Sequence, residues 1–124
     1  GLTIAGLSIL FGLSHTDYVT LLPKSVTTAI GMSLSAELGG VAAVTVTAIV
    51  ITGILGNLSG SALCKLLKIS DPIAQGVGFG TASHAIGTAR ANEVHPLTGA
   101  ASSLSLVVAG ILTAVLFPIM LSLI

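Results

Sequence analysis

Two short strings hold most of the side chains in this sequence that could do chemistry. Lys24-Ser25-Val26-Thr27-Thr28 follows Pro23, and Thr81-Ala82-Ser83-His84 runs through Gly87-Thr88 to Arg90 and Glu93. Arg90 and Glu93 stand three apart, so a helix would put them on one face. The planar guanidinium fork fits a carboxylate. That reads Arg90 as an anion ligand held by Glu93, against the plainer reading of an interfacial ion pair. His84 is a candidate proton carrier, since histidine titrates near neutral pH; the alternative is a packed, hydrogen-bonded ring. Lys24 either meets a substrate or reaches for the lipid interface. The hydroxyls of Ser25, Thr27, Thr28, Thr81, Ser83 and Thr88 either satisfy nearby carbonyls or line a polar cavity beside glycines such as Gly87. Their density favours the cavity.

Other chemistries are poorly served. Ser83-His84 lacks an acid partner for nucleophilic catalysis, no metal-ligand spacing occurs, and no cofactor is implied, so an enzyme is not expected. Gly76-x-Gly78-x-Gly80 has no strand-to-helix context and is no dinucleotide fingerprint. Gly56–Gly60 and Gly76–Gly80 match a helix-packing spacing, but a chain with 15 glycines produces such matches by chance. Asn57-Leu58-Ser59 falls within an apolar run and is discarded as a glycosylation acceptor. The single Cys64 forms no intrachain disulfide, and His15 and His95 read as loop residues. Zero net charge offers no basic stripe for nucleic acid.

The elements that position these residues follow from composition. Hydrophobic residues make up 53% and charged residues 6%, with a mean hydropathy of +1.10, whereas a soluble domain carries about 25% charge. The apolar residues come in runs far longer than strands. The fold class is therefore an all-α, polytopic integral membrane protein, with the lipid bilayer as its main partner. One transmembrane domain divides into an apolar tail over 1–13, a polar break at Ser14–Asp17, and a broken or re-entrant segment over 18–40. A transmembrane helix over 41–63, a second broken or re-entrant segment over 73–96 and a helix over 97–124, interrupted late by Pro118, complete it. The tail is short of the roughly 20 residues of a full crossing and reads as the end of a helix that begins upstream.

The two mixed segments are related by a shift of 56 residues. Ala29-Ile30-Gly31 then falls on Ala85-Ile86-Gly87, Glu37 on Glu93, Ser25 on Thr81 and Thr27 on Ser83. Paired, polar, Gly-interrupted segments point to a transporter site between repeats, because broken backbone survives at membrane depth only where it faces protein or water. Re-entrant segments would make the repeats inverted. The segments should then approach each other, bringing Thr27 and Thr28 near Ser83 and His84. Lys65 and Lys68 place the Cys64–Asp71 loop in the cytoplasm.

Leu22-Pro23-Lys24-Ser25-Val26-Thr27-Thr28 and Gly80-Thr81-Ala82-Ser83-His84-Ala85-Ile86-Gly87-Thr88-Ala89-Arg90 resemble the signatures of the LrgB/CidB family. The Leu-Gly-Gly after Glu37 and the Asp71-Pro72 step fit as well, and the resemblance covers Leu21 to the C-terminus, about the C-terminal half of a member. The family pattern usually has Pro after the paired threonines. Ala29 stands there in this sequence, which predicts a softer kink. The resemblance implies a bacterial cytoplasmic (inner) membrane location and two functions. Bacterial members are described as antiholin-like regulators of murein hydrolase activity and cell lysis, working with small LrgA/CidA-type membrane proteins. A plant plastid relative is a glycolate/glycerate transporter, and bacterial relatives are linked to pyruvate. The broken polar segments favour a permease for a small carboxylate substrate, with Lys24, Ser25, Thr27, Thr28, Thr81, Ser83, His84, Gly87, Thr88, Arg90 and Glu93 as its binding residues. A homo-oligomer is left open. The discriminating feature is whether Arg90 and His84 face one cavity with residues 25–28.

Overall fold

The computed structural model describes residues 2–122 and, within them, all side chains except those of residues 2–5, 25 and 121. Among the described residues the chain is helical with no strand. The helices are α1 (Leu2–Phe11), α2 (His15–Leu21), α3 (Thr28–Glu37), α4 (Ala42–Leu66), α5 (Pro72–Val94) and α6 (Pro96–Ser122), with a 3-10 turn over Leu22–Ser25.

Two stretches, Ala42–Leu66 and Pro96–Met120, are each 25 residues long and apolar enough to cross a membrane. At about 1.5 Å per residue each exceeds a hydrocarbon layer of about 30 Å. Only 17% and 11% of their apolar windows are buried within the molecule. They are therefore not core helices within this chain; Leu58 and Leu104 are 75% and 67% exposed. α6 continues through Pro118 to Ser122, so the proline does not interrupt it. Proline forfeits one helical bond, and buried Phe117 beside it packs with Tyr18, Val19, Leu22 and Leu34. Residues 123 and 124 of the expected helix lie outside the described residues.

The polar break lies earlier than Ser14–Asp17. Gly12 ends α1 at φ 64°, a conformation open to glycine. Ser14 then caps α2, its Oγ accepting from Asp17 N at 3.2 Å. His15 therefore belongs to the first turn of α2, where Asp17 also suits the helix dipole. His95 does lie between helices, its Nδ1 accepting from Leu97 N at 3.1 Å.

α5 is a hairpin rather than a rod. His84 takes φ 52° and ψ −142°, and the arm 85–94 folds back along the arm 72–83. A Cβ built on Gly87 would stand 2.8 Å from the carbonyl oxygen of Phe79, although eight residues along a straight helix span about 12 Å. Contacts with α4 follow the reversal. Phe79 lies on Gly60, Ser83 on Gly56 and Ile86 on Gly53; Arg90 and Val94 then return to Ser61, Cys64 and Lys65.

α2 and α3 form a second hairpin along the first half of α4. Thr45 Oγ1 lies 2.7 Å from the carbonyl of Thr20 and 2.8 Å from Ser35 Oγ. With one hydrogen, Thr45 donates to the carbonyl and accepts from Ser35. Val41 N donates to Thr20 Oγ1 at 2.8 Å, which ties both arms to the start of α4. Gly31, nearer the tip, packs against Ile49 and the carbonyl of Pro23. The two hairpins thus enter from opposite ends of α4. α6 runs antiparallel to α4, from Thr98 and Ser102 beside Gly76 and Gly80 to Gly110 beside Ile30.

The glycine spacings discounted as chance are packing features. Gly56 and Gly60 seat Ser83 and Phe79, while Gly76 and Gly80 admit the backbone of α6 at Thr98 and Ser102. A residue without a side chain is what lets two backbones approach this closely. Glycine frequency alone does not separate a packing pair from a chance one; the face these glycines share does.

Candidate functional site

The hairpin tips meet. His84 Nε2 lies 3.1 Å from the carbonyl oxygen of Lys24, beside the middle of α4. Each break has a local cause. On the first side Pro23 leaves helical geometry at φ −82° and ψ 16°, and Val26 is extended. Thr27, at φ −62° and ψ 151°, then starts α3 at Thr28. Ala29 falls in the first turn of α3, where proline is accommodated anyway. Its presence therefore does not soften the kink, which Pro23, Val26 and Thr27 make. On the second side the break is the single residue His84, held in the left-handed region where a non-glycine side chain is strained.

His84 is 3% exposed. Its Nδ1 is buried with no hydrogen-bond partner among the described residues. Thr88 Oγ1 donates to the carbonyl of His84, one turn earlier, at 2.9 Å and, with its one hydrogen so used, accepts from Ser102 Oγ of α6 at 2.8 Å. Asn57 of α4 donates from Nδ2 to the carbonyl of Ile86 at 3.0 Å. Thr88 and Asn57 thus tie the return arm of α5 to α6 and α4.

Of the expected site residues, the structure gathers Lys24, Thr27, Ser83, His84, Gly87 and Thr88 around the tips. Ser83 is buried against Gly56, and Gly87 is where the return arm crosses Ser83 and Phe79. Thr28 lies at the tip but is exposed, as is Thr81, whose hydroxyl donates to Val77 O at 2.6 Å. The Ser25 side chain lies outside the described residues. Arg90 and Glu93 stand elsewhere. They pair at 2.7 Å with side chains 41% and 67% exposed, and Arg90 lines a cavity with Lys65 and Gln75 at the hairpin base. Six residues of return arm carry Arg90 about 9 Å back from His84. His84 thus faces the first tip and Arg90 does not, so the shared cavity of Arg90, His84 and residues 25–28 expected of a transporter is not formed among the described residues. Asn57, Ser102 and the four packing glycines escaped sequence reasoning. The four-residue spacing was the signal for the glycines, and the discarded Asn57-Leu58-Ser59 string the signal for Asn57.

The described residues thus form an all-helical chain with two helices long and apolar enough to cross a membrane, and two hairpins broken at polar tips, which points to a membrane protein. The chain belongs to the LrgB-like family, whose pattern it matches over residues 1–123, as the two signature strings implied. It is 41% identical over 112 residues to a holin-like protein CidB of Staphylococcus epidermidis, covering 90% of this chain and 49% of that protein. It is 42% identical over 111 residues to a holin-like protein CidB of Staphylococcus aureus, covering 90% and 48%. A Haemophilus influenzae protein is 39% identical over 118 residues, covering 95% and 51%. The chain therefore spans about half the length of the curated relatives it matches. No solved structure matches it.

Proposed function

We propose that this chain is the site-bearing part of a multi-pass permease for small monocarboxylates of the glycolate, glycerate or pyruvate type, in a bacterial cytoplasmic membrane. The observation that carries the reading is the tip contact between His84 Nε2 and the Lys24 carbonyl at 3.1 Å. Two breaks approached from opposite ends of α4 form the kind of midplane site that inverted repeats build. The 56-residue offset supports this, since it maps the first residue of α3, Thr28, onto His84. It also maps the Gly31–Pro23 crossing onto the Gly87–Phe79 crossing, each with the glycine packed on a carbonyl eight residues earlier. Both hairpins are then re-entrant, and α4 and α6 cross the bilayer in opposite directions. Lys65 and Lys68 put the loop between α4 and α5 in the cytoplasm. The substrate carboxylate contacts Lys24 and His84, with the Thr27, Ser83 and Thr88 hydroxyls beside them.

A second reading is favoured by the relatives named holin-like: an antiholin-like regulator of murein hydrolase activity and lysis, assembling with a small LrgA/CidA-type protein or with further copies of itself. Ligand-dependent stability separates the two readings. A ligand that binds only the folded state stabilises it by about 2.7 kcal/mol at 100 times Kd. Glycolate, glycerate or pyruvate should therefore raise the unfolding temperature of the purified full-length protein by several degrees. No shift with any of the three, together with stoichiometric capture of a small holin-like partner, would move the assignment to the regulator.

A further inference from the structure

A cavity lies at the base of the α5 hairpin, apart from the tips. Its volume is about 270 Å³, and its lining is Ser61, Cys64 and Lys65 of α4 with Gln75, Arg90 and Val94 of α5. The folding-back of α5 brings these together, because Gln75 and Arg90 belong to opposite arms. Two of the six lining side chains are cations. Glu93, outside the lining, accepts from Arg90 Nη1 at 2.7 Å and steadies the guanidinium. Gln75 Nε2 is engaged with the carbonyl of Ile69 at 2.7 Å. Ser61 Oγ is buried and has no hydrogen-bond partner among the described residues, and a buried hydroxyl in that state awaits an acceptor.

We propose that this cavity binds a small oxyanion, a carboxylate or phosphate-type group, through Arg90, Lys65 and the Ser61 hydroxyl. Arginine supplies a planar two-donor fork and lysine a point charge. The volume falls just below the roughly 300–1,000 Å³ of pockets for drug-sized ligands, which suits an ion or a headgroup. The cavity lies near the end of α4, whose last turn carries Lys65 and is followed by Lys68. The oxyanion therefore arrives either as a dissolved ion or as the phosphate of an anionic lipid. The proposal does not depend on transport at the tips.

Cys64, the single cysteine of this sequence, lines the same cavity and reports its occupancy. The full-length protein, with any cysteine outside this sequence replaced by serine, is reconstituted in phosphatidylcholine vesicles and labelled with N-ethylmaleimide. Inorganic phosphate at ten times its Kd leaves about one site in eleven open, so labelling of Cys64 should slow about tenfold, while chloride at equal ionic strength should do nothing. If the source is lipid, phosphatidylglycerol in the vesicles slows labelling without added phosphate. Arg90→Gln with Lys65→Gln should erase the protection, and Arg90→Lys, which keeps the charge and the fold, should retain part of it. Unchanged labelling in both vesicle types overturns the proposal. So does equal protection by chloride, or full protection in the double glutamine variant.

Discussion

Gly80→Ala should destabilise the protein by about 1–3 kcal/mol, whereas Gly78→Ala, two residues away on the same arm, should leave it unchanged or slightly more stable. A Cβ at Gly80 would collide with the carbonyl oxygen of Ser102 and lie 3.0 and 3.1 Å from its C and Cα. These are backbone atoms of α6, which cannot yield as the end of a side chain can, so α5 and α6 must separate. Overpacking of this kind costs about 1–3 kcal/mol. A Cβ at Gly78 meets nothing within 4 Å, and removing a helical glycine returns up to about 1 kcal/mol. Thermal unfolding of the two detergent-purified variants side by side gives the comparison. Equal stabilities would mean that α5 and α6 are not packed backbone to backbone at Ser102.

His84→Gly should unfold at a temperature close to that of the unaltered protein, and His84→Ala clearly below it. His84 holds φ 52° and ψ −142°, which glycine adopts freely and which costs other residues about 1–3 kcal/mol. Both variants lose the bond to the Lys24 carbonyl, worth about 0.5–1.5 kcal/mol, and the packing of a buried ring. Only glycine recovers the strain. The expected gap between them is therefore about 1–3 kcal/mol in favour of glycine, with the carboxylate-induced stabilisation lost in both. A His84→Ala protein as stable as His84→Gly would show that the reversal is not held at this residue. Ligand stabilisation surviving in a folded His84→Gly protein would remove the imidazole from the site.

Much of this architecture was legible because it rests on residues with strong local physics. The mixed segment 18–40 holds the first break, and the uncharged runs mark α4 and α6 to within a few residues. The 56-residue offset aligned Thr28 with His84 and Gly31 with Gly87 before any contact was known. The reversal at His84 was not legible, since neither glycine nor proline stands there and the strained backbone depends on what surrounds it. The place of Arg90 follows from that reversal. On a continuous helix it would lie beyond His84, but on a return arm it comes back to the base beside Gln75. Asn57 was legible only as a discarded glycosylation acceptor, and its role against the Ile86 carbonyl exists only once α4 and the return arm are packed. The break softened by Ala29 was a misplaced expectation of another kind. It treated the proline of the family pattern as a breaker when its position is the first turn of a helix.

Transport through the meeting tips is tested most directly by uptake of radiolabelled glycolate, glycerate and pyruvate into proteoliposomes containing the full-length protein. Protein-free vesicles and the folded His84→Gly variant serve as the two controls. Saturable, protein-dependent accumulation of at least one of the three, reduced to the protein-free rate by His84→Gly, is the expected result. No uptake of any of them by well-folded protein, or uptake undiminished in His84→Gly, would contradict it.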